Sequence, residues 1–380
     1  MRRCWTMAKH AVLSASSSER WLNCPPSARL CEAYEDKGSD YAAEGTDAHT
    51  LCEYRLKQAL GIPAEDPIEN LSWYNEEMEE CAAGYAAYVV ELLETAKLTC
   101  SDPVIMIEQR VDFSRWVQDG FGTADCILIA DGVLNIVDYK HGKGVEVSAE
   151  GNTQLSLYSL GALEIFDGIY DIDRVCVHIF QPRKSNVVSS MMDKSDLYEW
   201  ADTELTPKAQ LAYEGQGNFS CGEWCRFCKA KAECRERAEA NLALARYEFQ
   251  PPALLDDEEI ADILGKVDAL TVWASDVKEY ALQQAVSGKE WTGWKLVEGR
   301  SNRKYTSEAA VAATVEGAGF DPYERKVLGV TAMQKLLGKT RFEELLAPYI
   351  EKPQGKPTLV PESDKRPAMK TAKNDFMEEF

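Results

Sequence analysis

Residues 120–140 constrain this chain more than any other stretch. Gly120-Phe-Gly-Thr-Ala-Asp-Cys-Ile-Leu-Ile-Ala130 and Val133-Leu-Asn-Ile-Val-Asp-Tyr-Lys140 flank the dipeptide Asp131-Gly132. Asp-Gly between two apolar runs marks a type I′ hairpin turn, in which both central residues take a positive φ. With a two-residue loop, Asp125 stands directly opposite Asp138. Lys140 follows two residues on, on the same face as Asp138. Opposed Cβ atoms in an antiparallel pair are about 4.5–5.5 Å apart, where like charges repel. Two carboxylates forced together beside a lysine call for a divalent cation; the plainer alternative is a solvated strand face.

The stretches around the hairpin predict the layers that would cover it. Alternation at Ile105, Ile107 and Val111 predicts a strand over 104–113, and a further strand is expected over Arg174–Gln181. Helices are expected over 47–60, 73–98 (with an apolar stripe at Tyr85, Tyr88, Val89 and Leu92), 148–166 and 196–214. A short helix carrying Trp21 and Leu22 is expected after a serine-rich lead. Ser16–Ser18 supply N-cap chemistry for it, and Cys24-Pro25-Pro26 breaks it. Helices, three strands, a helix and a strand make an α/β protein, a mixed central sheet flanked by helices. Beyond residue 250 the pattern predicts a long amphipathic helix over 256–286, a basic strand-like segment over 293–306 with Lys295, Arg300, Arg303 and Lys304, and a small helical segment over 311–346. The expected divisions are a lead over 1–13, the sheet domain over 14–250, a smaller, mainly helical region over 251–350, and an extended or disordered Pro/Lys-rich tail over 351–380.

Composition narrows the setting. A net charge of −21 argues against a simple electrostatic nucleic-acid binder, although Arg226, Lys229, Lys231, Arg235 and Arg237 form a local basic track that could follow a DNA backbone. No apolar run reaches the ~18 residues that a membrane span requires, so no membrane partner is expected. The first ten residues are basic but lack the apolar centre of a secretory signal, and Met7 is a second candidate initiator. Twelve unevenly spaced cysteines without such a signal fit a reducing cytoplasm in which some thiols are metal ligands.

Two further motifs converge on the hairpin. Glu44-Gly-Thr-Asp-Ala-His49 precedes the sheet, and Gln154-Leu-Ser-Leu-Tyr158 follows it, with Gln154 and Tyr158 four apart on one helix face. A lone histidine is more often structural than ligating, and a Gln and a Tyr share a face in many helices. The chemistry nevertheless fits together. Asp125 and Asp138 suit Mg²⁺ or Mn²⁺, an imidazole from His49 tilts the preference toward Mn²⁺, and Lys140 is placed to orient or activate a water.

Asp125-x₁₂-Asp138-x-Lys140 on a hairpin resembles the core of the PD-(D/E)XK nuclease superfamily. Gly45-x₃-His49 upstream and Gln154-x₃-Tyr158 downstream are similar to its RecB-like branch, over roughly residues 14–240. The resemblance implies a restriction-endonuclease-like fold and metal-dependent hydrolysis of DNA, with exonuclease the expected mode. It implies that His49, Asp125 and Asp138 bind metal, that Lys140 is catalytic, and that Gln154 and Tyr158 support the site or touch DNA. Glu44, beside the motif, is a further candidate carboxylate. Asp138 stands where many members carry Glu, a variation the superfamily tolerates. The whole chain also resembles an uncharacterised family common in phages and prophages. This implies a role in DNA replication or recombination in a bacterial host cytoplasm, with a helicase or a single-strand annealing or binding protein as candidate partner.

The cysteines admit two metal readings. Locally, Cys221, Cys225, Cys228 and Cys234 would suit tetrahedral Zn²⁺. The resemblance extends to RecB-like nucleases of the AddB and CRISPR-associated exonuclease type. In those, one cysteine before the core and three after it hold a [4Fe-4S] cluster. That implies Cys24, Cys225, Cys228 and Cys234 as ligands, with Cys221 left over. The competing functional class is a non-catalytic iron–sulfur or zinc DNA-binding or scaffold protein.

Overall fold

A computed structural model describes residues 11–35, 38–243, 255–298, 305–323 and 326–351. The basic residues at 300, 303 and 304, the lead over 1–10 and the tail from 352 lie outside the described residues. The chain separates into two compact units, 1–281 and 282–380.

The first unit is built on a five-stranded mixed sheet in the order β1-β2-β3-β4-β5. Its strands are β1 (Val104–Asp112), β2 (Phe121–Ala130), β3 (Val133–Tyr139), β4 (Arg174–Gln181) and β5 (Asn186–Asp193). β1, β2 and β3 form an antiparallel meander, β4 runs parallel to β3, and β5 returns antiparallel to β4. The hairpin has the predicted register, from Ala130↔Val133 to Cys126↔Val137, and Asp131 and Gly132 both take positive φ.

Two helical layers cover the sheet. On one face pack α3 (Asp40–Ala59) and α4 (Glu76–Ala96), which bury Leu51, Leu56, Met78, Tyr85 and Val89 against Cys126, Val137, Tyr139 and Phe180. On the other lies α5 (Thr153–Phe166), buried along residues 155–163, against Ile127, Leu134, Ile136, Val177 and Ile179. Behind α5 stand α1 (Ser18–Asn23), α2 (Ser27–Glu32), α6 (Lys194–Trp200) and α7 (Thr206–Glu214), the last two joined by a π-turn over Ala201–Leu205. α8 (Arg235–Leu242) and α9 (Asp257–Val286) follow. The second unit contains α10 (Glu308–Gly317), α11 (Val330–Leu337) and α12 (Lys339–Leu346).

Several sequence expectations need correction. α3 begins at Asp40 rather than 47, because the Ser39 hydroxyl caps it by accepting from the Ala42 N–H at 3.1 Å. Gly45 and His49 are therefore both inside the helix. α5 starts at Thr153 rather than 148, where Asn152 accepts from Leu155 N at 3.1 Å. Ser17 occupies the cap position of α1, but its hydroxyl donates to Ser14 O instead of capping. β5 was not predicted. It is an edge strand whose Val187, Val188 and Met191 are exposed, so no alternation announces it. The described part of 293–306 contains no strand.

His178 of β4 is held neutral by its surroundings. Its Nε2 donates to Asn135 Oδ1 at 3.1 Å, its Nδ1 accepts from Tyr88 Oη at 2.9 Å, and burial pushes its pKa down to about 4. The unfolded chain takes up this proton near 6.5 and the folded chain only near 4. Stability contributed by His178 is therefore lost as pH falls through that window, by up to about 1.4 kcal/mol per pH unit. Urea midpoints at about pH 7 and about pH 5 should drop more for wild type than for His178→Gln, which cannot titrate. Equal drops would contradict this assignment.

Candidate metal centre and thiol cluster

The centre forms where the hairpin ladder ends. Beyond Cys126↔Val137, Asp125 turns its carboxylate inward and Oδ2 accepts the Tyr139 N–H at 2.8 Å. Across the other edge of β2, Asp125 faces Glu108, and this pair drops out of the ladder between Ile107↔Cys126 and Gln109↔Ala124. Glu108 has φ +51°, a left-handed conformation that costs a non-glycine residue energy. The consequence is an inversion of the sheet's faces. Ile105, Ile107 and Cys126 pack toward α3 and α4, whereas Val111 and Ala124 pack on the α5 side. In a regular strand, residues separated by an even number face the same way. The Glu108–Asp125 step breaks that rule in both strands.

His49 comes from the second turn past Gly45 on α3, with Nδ1 3.4 Å from Asp125 Oδ2. His49, Glu108 and Asp125 offer ligand atoms that all lie within 4.8 Å of one another. Asp138, buried, completes the floor. Its Oδ2 makes no well-formed hydrogen bond but lies 2.9 Å from Lys140 Nζ. Lys140 also donates to Gln154 Oε1 at 2.9 Å. Gln154 Nε2 in turn reaches Tyr158 Oη at 3.2 Å and Asp138 Oδ1 at 3.4 Å. Tyr158 lies so close to Gly122 that a Cβ there would stand 2.6 Å from its ring, so glycine is what admits the tyrosine.

The electrostatics carry a deficit of positive charge. Burial alone would lower the His49 pKa, but the Asp125 carboxylate raises it to about 9. Burial works against the charged form of Asp125, yet His49 and the Tyr139 N–H hold its pKa below the ordinary value. Burial, joined by the charge on Asp125, raises Asp138. Burial and the same charge push Glu108 up to about 7. Three carboxylates share this space with one imidazole and one ammonium, and a divalent cation would relieve their repulsion. His49, Asp125, Asp138, Lys140, Gln154 and Tyr158 are thus brought together as the sequence reading placed them.

Glu44 is not part of this group. Its Oε1 is 2.8 Å from Arg183 Nη1 and 3.4 Å from His141 Nε2, and Arg183 also reaches Glu77 at 3.0 Å. This network ties α3 and α4 to the segment after β4. Glu108, absent from the sequence reading, takes the place intended for Glu44. The available signal was its position as the only acidic residue between Val104 and Val111.

The second cluster lies near α1 and α2. Cys24, Cys225, Cys228 and Cys234, together with Arg20, Trp224 and Arg237, line one small cavity; Cys221 lines neither this cavity nor the next. Burial and the neighbouring Cys225 push the Cys221 pKa up to about 11. Cys31, also unforeseen, lies 3.7 Å from Cys228 Sγ, and the Arg20 guanidinium is 3.3 Å from its sulfur. Of the expected basic track, Arg237 and Lys231 are engaged with Asp276 at 2.6 and 2.8 Å. Arg226 and Arg235 are exposed. Arg226 leans over the Phe227 ring and sets its Nη2 3.6 Å from where a Cβ of Gly144 would stand, beside the loop that follows Lys140.

The chain belongs to the family described as "Protein of unknown function (DUF2800)", whose model matches residues 10–367. Among solved structures, the one titled "Crystal structure of SSO0001" is similar over 49% of this chain and 95% of that chain, at 13% identity and a TM-score of 0.21. Among the described residues, no helix is long and apolar enough to cross a membrane.

The two glutamates should separate experimentally. Glu108→Gln is expected to weaken Mn²⁺ binding, measured by calorimetry, by about tenfold or more. Glu44→Gln should leave Mn²⁺ affinity within about twofold while lowering unfolding stability by on the order of 2 kcal/mol, because Arg183 keeps Glu77 as a partner. The reverse pattern would move Glu44 into the metal centre.

Proposed function

We propose that this protein is a Mg²⁺- or Mn²⁺-dependent deoxyribonuclease of the PD-(D/E)XK, RecB-like kind, with a restriction-endonuclease-like core and a Cys-ligated [4Fe-4S] cluster. The observation that carries the reading is the convergence of His49, Glu108 and Asp125 beside buried Asp138, whose Oδ2 has Lys140 as its charged neighbour but no well-formed hydrogen bond. An oxygen-rich set with one imidazole suits a hard divalent ion. His49, Glu108, Asp125 and Asp138 would hold it. When bound, the ion supplies a lowered water pKa and stabilises charge on the phosphate oxygens.

The chain's own groups supply the rest. Lys140 Nζ is fixed between Asp138 Oδ2 and Gln154 Oε1, which leaves an N–H for the attacking water or a phosphate oxygen. Gln154 holds that ammonium in place through its bonds to Tyr158 and Asp138. Asp125 is held by the Tyr139 N–H, so its ligand oxygens do not depend on a mobile rotamer.

Cys24, Cys225, Cys228 and Cys234 would hold the cluster. They line one cavity, and among the described residues no three cysteines bring their sulfurs within 4.8 Å of one another. Bound there, a cluster would tie residue 24 to residues 225–234 and would supply stability, since phosphodiester hydrolysis asks no electron of it. DNA is the expected substrate, in phage or prophage replication or recombination, with a helicase or a single-strand annealing or binding protein as partner.

An assay on end-labelled linear and covalently closed circular DNA, with anaerobically purified protein and Mn²⁺ or Mg²⁺, tests the reading. Linear DNA should be cut, Asp138→Ala and Lys140→Ala should each reduce cutting by at least about a hundredfold, and circular DNA should resist an exonuclease. DNA binding without cutting would instead make this a binding or scaffold protein. Cys24→Ser should lose iron while Cys221→Ser retains it. Zinc bound independently of Cys24 would replace the cluster with a zinc module.

A further inference from the structure

Cys31 has a partner that the metal centre does not explain. It lies on α2, and its Sγ is 3.7 Å from Cys228 Sγ across 197 residues of chain. Both residues are buried, packed with Ala230 and flanked by Leu30 and Tyr34. Arg20 approaches the same sulfur with Nη1 at 3.3 Å and is itself anchored on Ser27, 2.7 Å from the carbonyl and 3.0 Å from the hydroxyl. Cys228 lines the cavity shared by Cys24, Cys225 and Cys234, whereas Cys31 lines a second, larger cavity with Arg20, Trp224, Phe227 and Lys229. Cys228 thus stands between the proposed metal ligands on one side and a thiol reached from a separate cavity on the other.

We propose that, when the thiol cluster holds no metal, Cys31 and Cys228 form a disulfide on meeting a small-molecule disulfide, and that this bond withdraws Cys228 from the metal-binding set. The second half rests on the reading of Cys228 as a ligand; the first half does not. The sulfurs need to close from 3.7 Å to about 2.05 Å. The Cys31 sulfur attacks one sulfur of the small disulfide, forming a mixed disulfide and releasing one small thiol, which takes the Cys31 proton. The Cys228 sulfur then attacks the Cys31 sulfur and releases the second small thiol with the Cys228 proton. Two protein thiols are oxidised, and one small disulfide is reduced to two thiols. Metal and disulfide become alternative closures of the same long loop, because each joins the α1–α2 region to the segment around residues 225–234.

The test uses the full-length chain, chelated or anaerobically reconstituted with iron and sulfide, then exposed to oxidised glutathione and alkylated. Peptide mapping of the chelated protein should show Cys31 linked to Cys228 with loss of two hydrogens, and reconstitution should slow that linkage at least about tenfold. The oxidised wild type should then fail to take up iron until a reductant is added. Cys31→Ser should form no such link and should take up iron equally before and after oxidation. Absence of the Cys31–Cys228 link in the chelated protein overturns the proposal. So does loss of iron uptake by reduced Cys31→Ser, which would make Cys31 a metal ligand. If the link forms but even reduced wild type binds no iron, the alternation with metal falls together with the cluster reading, while the disulfide stands.

Discussion

The carboxylate of Asp125 is the point on which the sheet, the α3–α4 layer and the β2–β3 hairpin depend together. It takes the Tyr139 N–H that the ladder would otherwise pair, faces His49 of α3, and lies opposite Glu108 of β1. An ionised group this deeply placed is costly unless it is hydrogen-bonded and paired. The chain meets that cost by distorting β1 at Glu108 and by inverting the facing of two strands. Regular β-structure is thus given up at one step, where acidic groups and an imidazole gather. Strained backbone of this kind tends to cluster at functional sites, and the registers of the other strand pairs run without a break.

The surrounding layers hold this arrangement from both sides. α5 lies buried across the sheet and delivers Gln154 and Tyr158, while Gly122 clears the space that Tyr158 fills. On the opposite face, the Tyr139 ring contacts His49 and Tyr85 edge-on, lies near-parallel to Phe180, and pairs its hydroxyl with His141 Nδ1 at 2.7 Å. Arg183 then joins Glu44 of α3 to Glu77 of α4, so the helix that carries His49 is anchored by charge as well as by apolar packing. Asp125, Lys140, Gln154 and Tyr158 thus each make a further contact that limits their motion.

Much of this was legible in the sequence because it depended on local rules. Asp-Gly between alternating runs gave the hairpin register and with it the Asp125–Asp138 opposition. The spacing of Gln154 and Tyr158 gave their shared face. What escaped depended on long-range pairing. Glu108 joins the centre only through the β1–β2 register and a positive φ, neither of which a single strand announces. Glu44 looked like a ligand because it neighbours the histidine motif, but Arg183, 139 residues away, holds it. Cys31 carries no local signal, because the thiol it approaches, Cys228, lies 197 residues away in the chain. The edge strand β5 lacks alternation because successive residues on both of its faces, Val187 and Val188 among them, are exposed.

The first unit holds two such clusters: His49, Glu108 and Asp125 beside Asp138, and the thiols of Cys24, Cys225, Cys228 and Cys234, which line one cavity although about 200 residues separate the first from the rest. The proposed hydrolysis requires a divalent cation at the acidic centre. Anomalous diffraction from crystals soaked in Mn²⁺ tests it most directly. The expected result is a manganese peak within coordination distance of His49, Glu108, Asp125 and Asp138, and its loss in Asp125→Asn. Density at these residues with no anomalous peak, or a peak held only by other groups, would contradict the account.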